Sequence, residues 1–254
     1  MTTPPTTRLC RHDLETIELR GRDLVDGMVG EMSFTEALFC HITGRDAGPA
    51  ETAITDAVLI VLMEHGLTPS AIAARMVYAS APEALQAGVA AGLLAVGSQF
   101  VGTMELTAKI LAEMVDDPAG IEAAAERIAK AYRAERRPMP GFGHHLHRPD
   151  DPRPAKLFAI AERHGVPGRH IGALRALGAA VDAAAGKHIT INATGAVAAL
   201  LMEIGIAPEI MRGFAVISRS AGLVAHIAEE QQRPAARHIW AAAEAAVPYA
   251  DDGT

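Results

Sequence analysis

Histidines and arginines are the residues through which this chain could do chemistry. The run His144-His145-Leu146-His147-Arg148-Pro149-Asp150-Asp151-Pro152-Arg153 sets three imidazoles within four residues. In a loop, that spacing can bring two of them onto one ion. No cysteine or carboxylate stands at a telling ligand spacing, so no metal is expected. The other reading is one working histidine beside two solvated ones. Gly141 and Gly143 flank Phe142 just before His144, which lets backbone approach a ligand closely. The pair is not GxGxxG and follows no strand, so a dinucleotide fingerprint is not indicated. GxSxG, Walker and HExxH motifs are absent. Arg153, Arg219 and Arg233 stand beside loops or helix ends. Taken singly, each reads as a surface ion pair. Taken with His65 and His144, they could form a cationic cup, because forked guanidinium groups bind carboxylates bidentately.

The segment that must present His144 is a break between helices. Pro138, Pro140, Gly141 and Gly143 exclude helix there, and such loops often carry function. Elsewhere the pattern is helical and the fold class expected is all-α. Ser33 and Glu36 form a capping box for a helix that Gly44 stops. Further helices are expected over 51–65, 69–79, 82–97, 103–115, 120–136, 154–164, 169–185 and 192–204. The last strong one runs from Pro208 to about Glu230. In it Ile210, Phe214, Ile217, Ala221 and Val224 form one apolar stripe. Arg219 falls on another face with Ala215, Gly222 and His226, and a cation among small residues suggests a tight seam or pocket floor. Residues 16–19 suit a short strand.

The chain has 254 residues, of which 50% are apolar, 21% charged and 4% aromatic. That composition excludes a disordered, collagen-like or disulfide-scaffold chain. The net charge is -7 without a dense Lys/Arg block, so a nucleic-acid partner is not expected. Cys10 and Cys40 are the two cysteines, with no CxxC spacing, and a cytoplasmic location is the default. The Thr/Pro-rich start lacks the apolar core of a signal peptide. No run of about 20 residues is apolar throughout, so no membrane span is expected.

A family resemblance enters at these residues. Pro140-Gly141-Phe142-Gly143-His144, followed by Asp151-Pro152-Arg153, resembles the signature loop of citrate synthases. Ala215-Val216-Ile217-Ser218-Arg219-Ser220-Ala221-Gly222-Leu223-Val224-Ala225-His226 is similar to that family's late helix. Glu64-His65-Gly66-Leu67-Thr68-Pro69-Ser70 resembles its Asp-His-Gly-Leu-Asn-x-Ser segment. Gly21-Arg22-Asp23-Leu24 and Ser33 to Leu38 match its early region. The short length is closer to the citryl-CoA lyase branch. The resemblance implies one all-helical unit over 1–254, with a small subdomain at about 119–215, and a homodimer with shared sites. His65, His144, Arg153 and Arg219 would hold an oxaloacetate-like ligand, and Arg233 would reach across from the partner subunit. Arg148 stands where the family places a cation for coenzyme A, and Gly141, Gly143 and Asn192 would line that same thioester. A small polycarboxylate and a CoA thioester are the ligands implied.

Two positions depart from the family pattern. Phe100 stands where a histidine would hydrogen-bond the thioester oxygen. Thr194, in Asn192-Ala193-Thr194-Gly195, stands where an aspartate would take the methyl proton. A phenyl ring donates no hydrogen bond, and a threonine hydroxyl is no base near neutral pH. Glu105, His145, His147 and His188 are the candidate replacements. Three functions stay open. One is a lyase or synthase acting on a citrate-type CoA thioester, with His144, Thr194 and Glu105 as catalytic candidates and Phe100 against the substrate. The second is a repurposed hydrolase, decarboxylase or isomerase of a related acid. The third is a non-catalytic polycarboxylate sensor.

Overall fold

A computed structural model describes residues 4–97 and 102–250. Three short strands, β1 (Cys10–His12), β2 (Ile17–Leu19) and β3 (Arg22–Asp23), pair antiparallel in that order. Cys10 faces Leu19, and Leu19 faces Arg22. Everything else that is regular among the described residues is helical: α1 (Leu24–Gly27), α2 (Phe34–Thr43), α3 (Pro49–Met63), α4 (Pro69–Ser80), α5 (Leu85–Leu94), α6 (Thr103–Val115), α7 (Ile121–Ala134), α8 (Pro152–Arg163), α9 (Arg169–Ala185), α10 (Ala193–Glu203), α11 (Met211–Gln232) and α12 (Ala236–Ala246). The fold is all-α. No helix among the described residues is long and apolar enough to cross a membrane.

Local signals set most of these boundaries. Ser33 caps α2, Glu36 returns a 2.8 Å bond from the Ser33 amide, and Gly44 closes the helix at φ +77°. Two helices, α6 and α9, end where the pattern places them. The helix expected over 82–97 is shorter, at Leu85–Leu94, and α8 starts at Pro152 with Asp151 as its cap. Two helices lie outside the expected set, the single turn α1 and α12. The α12 helix has no side-chain cap at Ala235 and buries only Ala236. Its start is held from elsewhere: Glu230 accepts the amides of Ala235 and Ala236 at 2.8 Å each.

By contacts the chain divides into two compact units, 1–58 with 107–208 and 59–106 with 209–254. In the first, α7 packs on α9, and α10 packs on both α8 and α9. Phe39, Ile54, Leu111, Leu174, Leu200 and Leu201 are among its fully buried side chains. In the second, α4, α5 and α11 pack on one another, with α12 against α4. Met104, Met211, Phe214, Leu223 and Ile227 are among its sealed core side chains.

Candidate active-site elements

The first unit carries His144 on a loop pinned from both sides. Gly143 N donates to Thr190 O at 2.8 Å, and Asn192 N donates to Gly141 O at 3.0 Å. Gly141 has φ +83°, and a Cβ there would lie 2.7 Å from Thr107 Oγ1 and 2.9 Å from Gly195 Cα. Only glycine allows both the backbone turn and the close approach. Asn192 caps α10, accepting from Gly195 N at 3.1 Å and from Thr194 Oγ1 at 2.8 Å, and its Nδ2 donates to Gly143 O at 3.0 Å. The Thr194 hydroxyl thus directs a proton to Asn192.

Asp151 is the keystone of this set. It is 3% exposed. It holds Arg153 in a fork, accepting Nε at 2.9 Å and Nη2 at 2.7 Å, and it also accepts Ala193 N at 3.2 Å. Burial pushes its carboxyl up, but the Arg153 side chain and amide outweigh that and hold it below the usual carboxylate range. Arg153 is therefore oriented before any ligand arrives.

His144 is fixed more tightly than its loop position suggests. Its Nδ1 accepts the backbone amides of Leu146 at 3.1 Å and His147 at 3.0 Å. An atom that accepts two N–H groups carries no proton, so neutral His144 holds its proton on Nε2. His145 and His147 stack on it, with centroids 4.6 and 4.3 Å away. Burial first, then His147, Arg153 and His145, push its pKa down to about 4. His144 is therefore a neutral Nε2–H donor at physiological pH, and in that tautomer it cannot act as a base at Nε2. A titration followed by nitrogen NMR is expected to show the Nε2–H tautomer from pH 8 to 5, with protonation near pH 4. The sign follows from linkage. Above about pH 6.5 the group adds nothing, and below it stability falls toward pH 4, because the unfolded chain binds the proton that the folded chain refuses. A midpoint near 6.5 would contradict this geometry.

The second unit carries Arg219 in the seam that the sequence suggested. Arg219 is 7% exposed. Its Nε donates to Ser70 Oγ at 3.2 Å, Nη2 to Thr68 Oγ1 at 2.7 Å and Nη1 to Met63 O at 3.1 Å. Gly222 packs directly on Met63 O, leaving no room for a Cβ. Glu64 accepts Arg219 Nη1 at 3.3 Å and the amides of His65 at 2.8 Å and Gly66 at 2.5 Å. Burial raises the Glu64 carboxyl, and Arg219, His226 and those amides more than offset it. His226 Nδ1 accepts Arg75 Nε at 3.0 Å, which leaves the proton on Nε2; that nitrogen lies 2.9 Å from Glu64 Oε2 but not in hydrogen-bond geometry. Arg75 is 2% exposed and also binds Glu229 and Glu230.

The remaining candidates fall as follows. His65 is exposed at the start of the α4 approach. Glu105 is paired with Arg212 Nη2 at 2.6 Å. Arg148 and Arg233 are both exposed, Arg233 at the end of α11. Phe100 lies outside the described residues. Sequence reasoning singled out neither the Arg75-His226-Glu64 chain nor Asp151 as the holder of Arg153. The Asp151-Pro152-Arg153 spacing was a signal for the latter, since a helix N-cap carboxylate can reach the N2 side chain. Nothing in the spacing pointed to Arg75.

A helical fold whose glycine-pinned loop bears His144, whose next helix opens with Arg153 and whose late helix carries a buried arginine defines a known class. The family model "Citrate synthase, C-terminal domain" matches residues 17–240. The chain belongs to the citrate synthase family. Over nearly its whole length it is similar to citryl-CoA lyase from Hydrogenobacter thermophilus, with 32% identity, a TM-score of 0.86, and coverage of 98% of this chain and 95% of that one. Citrate synthase from Thermotoga maritima MSB8 shares the fold, at 21% identity and a TM-score of 0.69, over 88% of this chain and 58% of that one. A Mycobacterium tuberculosis relative that carries a citrate synthase name is 26% identical over 224 residues, covering 84% of this chain and 58% of its own length. The chain thus spans a little over half the length of that curated relative.

Proposed function

We propose that this protein cleaves or forms the carbon–carbon bond of a citrate-type hydroxyacyl-CoA thioester, as a citryl-CoA lyase does. The observation that carries this reading is the likeness to the Hydrogenobacter lyase over nearly all of both chains. In the cleavage direction the tertiary hydroxyl loses its proton and the adjacent C–C bond breaks. The products are oxaloacetate and the enolate of acetyl-CoA, which takes a proton on carbon. His144 Nε2–H would donate to the tertiary oxygen, where charge develops. Arg153 and Arg219, each held by its own carboxylate, and His65 would serve the substrate carboxylates. The hydroxyl of Thr194 and the carboxylate of Glu105 would need to leave Asn192 and Arg212 to serve in catalysis.

The CoA half of the reading draws support from the first unit. A cavity of about 730 Å³ lies beside the Pro138–Met139 segment, lined among others by Tyr132, Arg133, Arg136, Met139, Val181 and Lys187. Apolar walls with a basic rim suit a nucleotide with its phosphates. Gly141, Gly143, Asn192 and Arg148 would complete the path of the thioester. Arg136 adds a second indication: it holds φ +53° at the helix end, where glycine would be less strained. Arg136→Gly is expected to raise stability by about 1 kcal/mol and to weaken CoA binding several-fold in calorimetry. A variant that is both more stable and undiminished in CoA binding would remove Arg136 from the site.

The working form is proposed as a cytoplasmic homodimer in which Arg233 serves the partner's ligand. Arg233→Ala should then weaken carboxylate binding, and unchanged calorimetric affinity would refute the shared site. The direct test of the function is oxaloacetate release from citryl-CoA, measured alongside calorimetry with oxaloacetate and citrate, with and without CoA. Cleavage, or carboxylate binding coupled to CoA, supports the lyase. Carboxylate binding indifferent to CoA, without cleavage, would favour a repurposed enzyme or a sensor, the reading that Thr194 in the aspartate position favours. No cleavage and no binding of either ligand would refute all three.

A further inference from the structure

Arg153 and Arg219 are held in different ways. Asp151, its side chain fully buried, grips Arg153 in a fork at 2.9 and 2.7 Å. Arg219 meets four acceptors. Thr68 Oγ1 and Ser70 Oγ stand at the start of α4, and Met63 O lies under Gly222, so three of them belong to packed backbone or helix start. The fourth is Glu64, and 44% of its side chain is exposed while Arg219 keeps 8%. Glu64 is the acceptor that a ligand from solution can replace. It also fits its place poorly. Its Oε2 is 3.3 Å from Arg219 Nη1, longer than the about 2.7–2.9 Å of a good charge-assisted bond. The same oxygen lies 2.9 Å from His226 Nε2 outside hydrogen-bond geometry, and that buried nitrogen has no hydrogen-bond partner among the described residues. It carries the proton, because Nδ1 accepts Arg75 Nε. The turn explains the poor fit: Glu64 Oε1 accepts the amides of His65 and Gly66, which tethers the carboxylate to its own backbone. Two N–H groups, one of them cationic, thus converge on an oxygen that neither holds well.

On the lyase reading, which makes Arg219 a substrate ligand, we infer that Glu64 is a stand-in for a substrate carboxylate: in the free protein it fills the oxygen position shared by Arg219 Nη1 and His226 Nε2–H, and the substrate carboxylate displaces it. A ligand carboxylate has no backbone tether, so its oxygen is free to align with both N–H groups. By this exchange His226 becomes a substrate-binding residue, with Arg75 fixing its tautomer. The exchange also sets affinity. While Glu64 is in place the position is taken, and the apparent affinity is reduced by the fraction of molecules in which it has swung out. Glu64 is one methylene longer than the aspartate at the matching place of the family segment, which extends its reach toward Arg219.

The test is calorimetry of the full-length protein with oxaloacetate and with citrate. Glu64→Gln keeps an oxygen for the two amides and removes the charge, Glu64→Ala removes the whole head group, and thermal melting checks the fold of both. Each should bind the acids about three- to tenfold more tightly than wild type, because no half-exposed ion pair has to be displaced. Glu229→Gln, which removes a carboxylate from the same helix as Arg219, should change affinity by less than about twofold. A mere support for Arg219 would behave in the opposite way, since its loss weakens binding. Folded Glu64 variants with equal or weaker affinity would overturn the inference. So would an equal gain in Glu229→Gln, which would make the effect one of net charge, and so would absence of binding in wild type and every variant. Citryl-CoA cleavage by the wild-type protein, measured in parallel, tests the lyase reading by itself. Cleavage without the gain in affinity overturns the inference alone. The gain without cleavage sinks the lyase reading and retains Glu64 as the occupant of a carboxylate site.

Discussion

Replacing His144 with asparagine is expected to cut citryl-CoA cleavage by about 10²–10³-fold while leaving the fold intact. Asparagine is the informative choice. In the native loop, Nδ1 accepts the amides of Leu146 and His147 at 3.1 and 3.0 Å. An Asn side-chain oxygen accepts amides two and three residues on in the same way, so the turn keeps its hydrogen bonds. What is lost is the Nε2–H proposed to donate to the substrate oxygen and the stack with His145 and His147. His144→Ala would instead strip two amides of their acceptor, at about 1–3 kcal/mol if they remain buried, and would mix loop damage with chemistry. Near-wild-type turnover in a folded His144→Asn protein would show that the site does not use this donor. The rate of cleavage at saturating substrate is the measurement, with thermal melting as the control.

The second large effect concerns stability. Arg75→Met should destabilise the protein by about 3–5 kcal/mol, a fall in Tm of about 10 °C. Arg75 has 3% of its side chain exposed and binds Glu230, which has 4%, at 2.7 Å. It also donates to His226 Nδ1 and pairs with Glu229. Removing the guanidinium leaves Glu230 buried without its cation. Glu230 in turn holds the first amides of α12 at 2.8 Å, so the loss should spread to that helix and show early in amide exchange. The pH dependence has a definite sign. Burial raises the Glu230 carboxyl, but the Ala236 amide, Arg75 and the Ala235 amide more than offset it, and the folded value lies below the unfolded one. Its contribution is present above about pH 4.3 and is lost as pH falls through the folded value. Arg75→Met should lose that acid-side stability, and adding Glu230→Gln should recover part of the deficit. A melting temperature within 2–3 °C of wild type, about 1 kcal/mol, would mean that water or Glu229 replaces the pair. By contrast the exposed Arg11–Glu18 pair, with Arg11 79% exposed, should contribute little.

The sequence by itself determined whatever depends on neighbours a few residues apart. Ser33, Glu36 and Gly44 sit at the capping spacings that bound a helix, and the structure uses all three. The prolines and glycines between Arg137 and His144 forbid helix through fixed φ and a missing N–H, so a presenting loop was legible there. Arg219 shares a helix face with Ala215, Gly222 and His226 because of the 3.6-residue period, and it does lie in a tight seam. Tertiary structure alone decided the protonation and the supports. The His144 tautomer depends on where two particular amides point once the loop has closed. The α12 start is capped by a carboxylate on the preceding helix, at no capping spacing that reads as one. Arg75 meets His226, Glu229 and Glu230 across more than 150 residues of chain. No local pattern carries such a pairing, because burial and a low dielectric, which make it strong, exist only after the helices have packed.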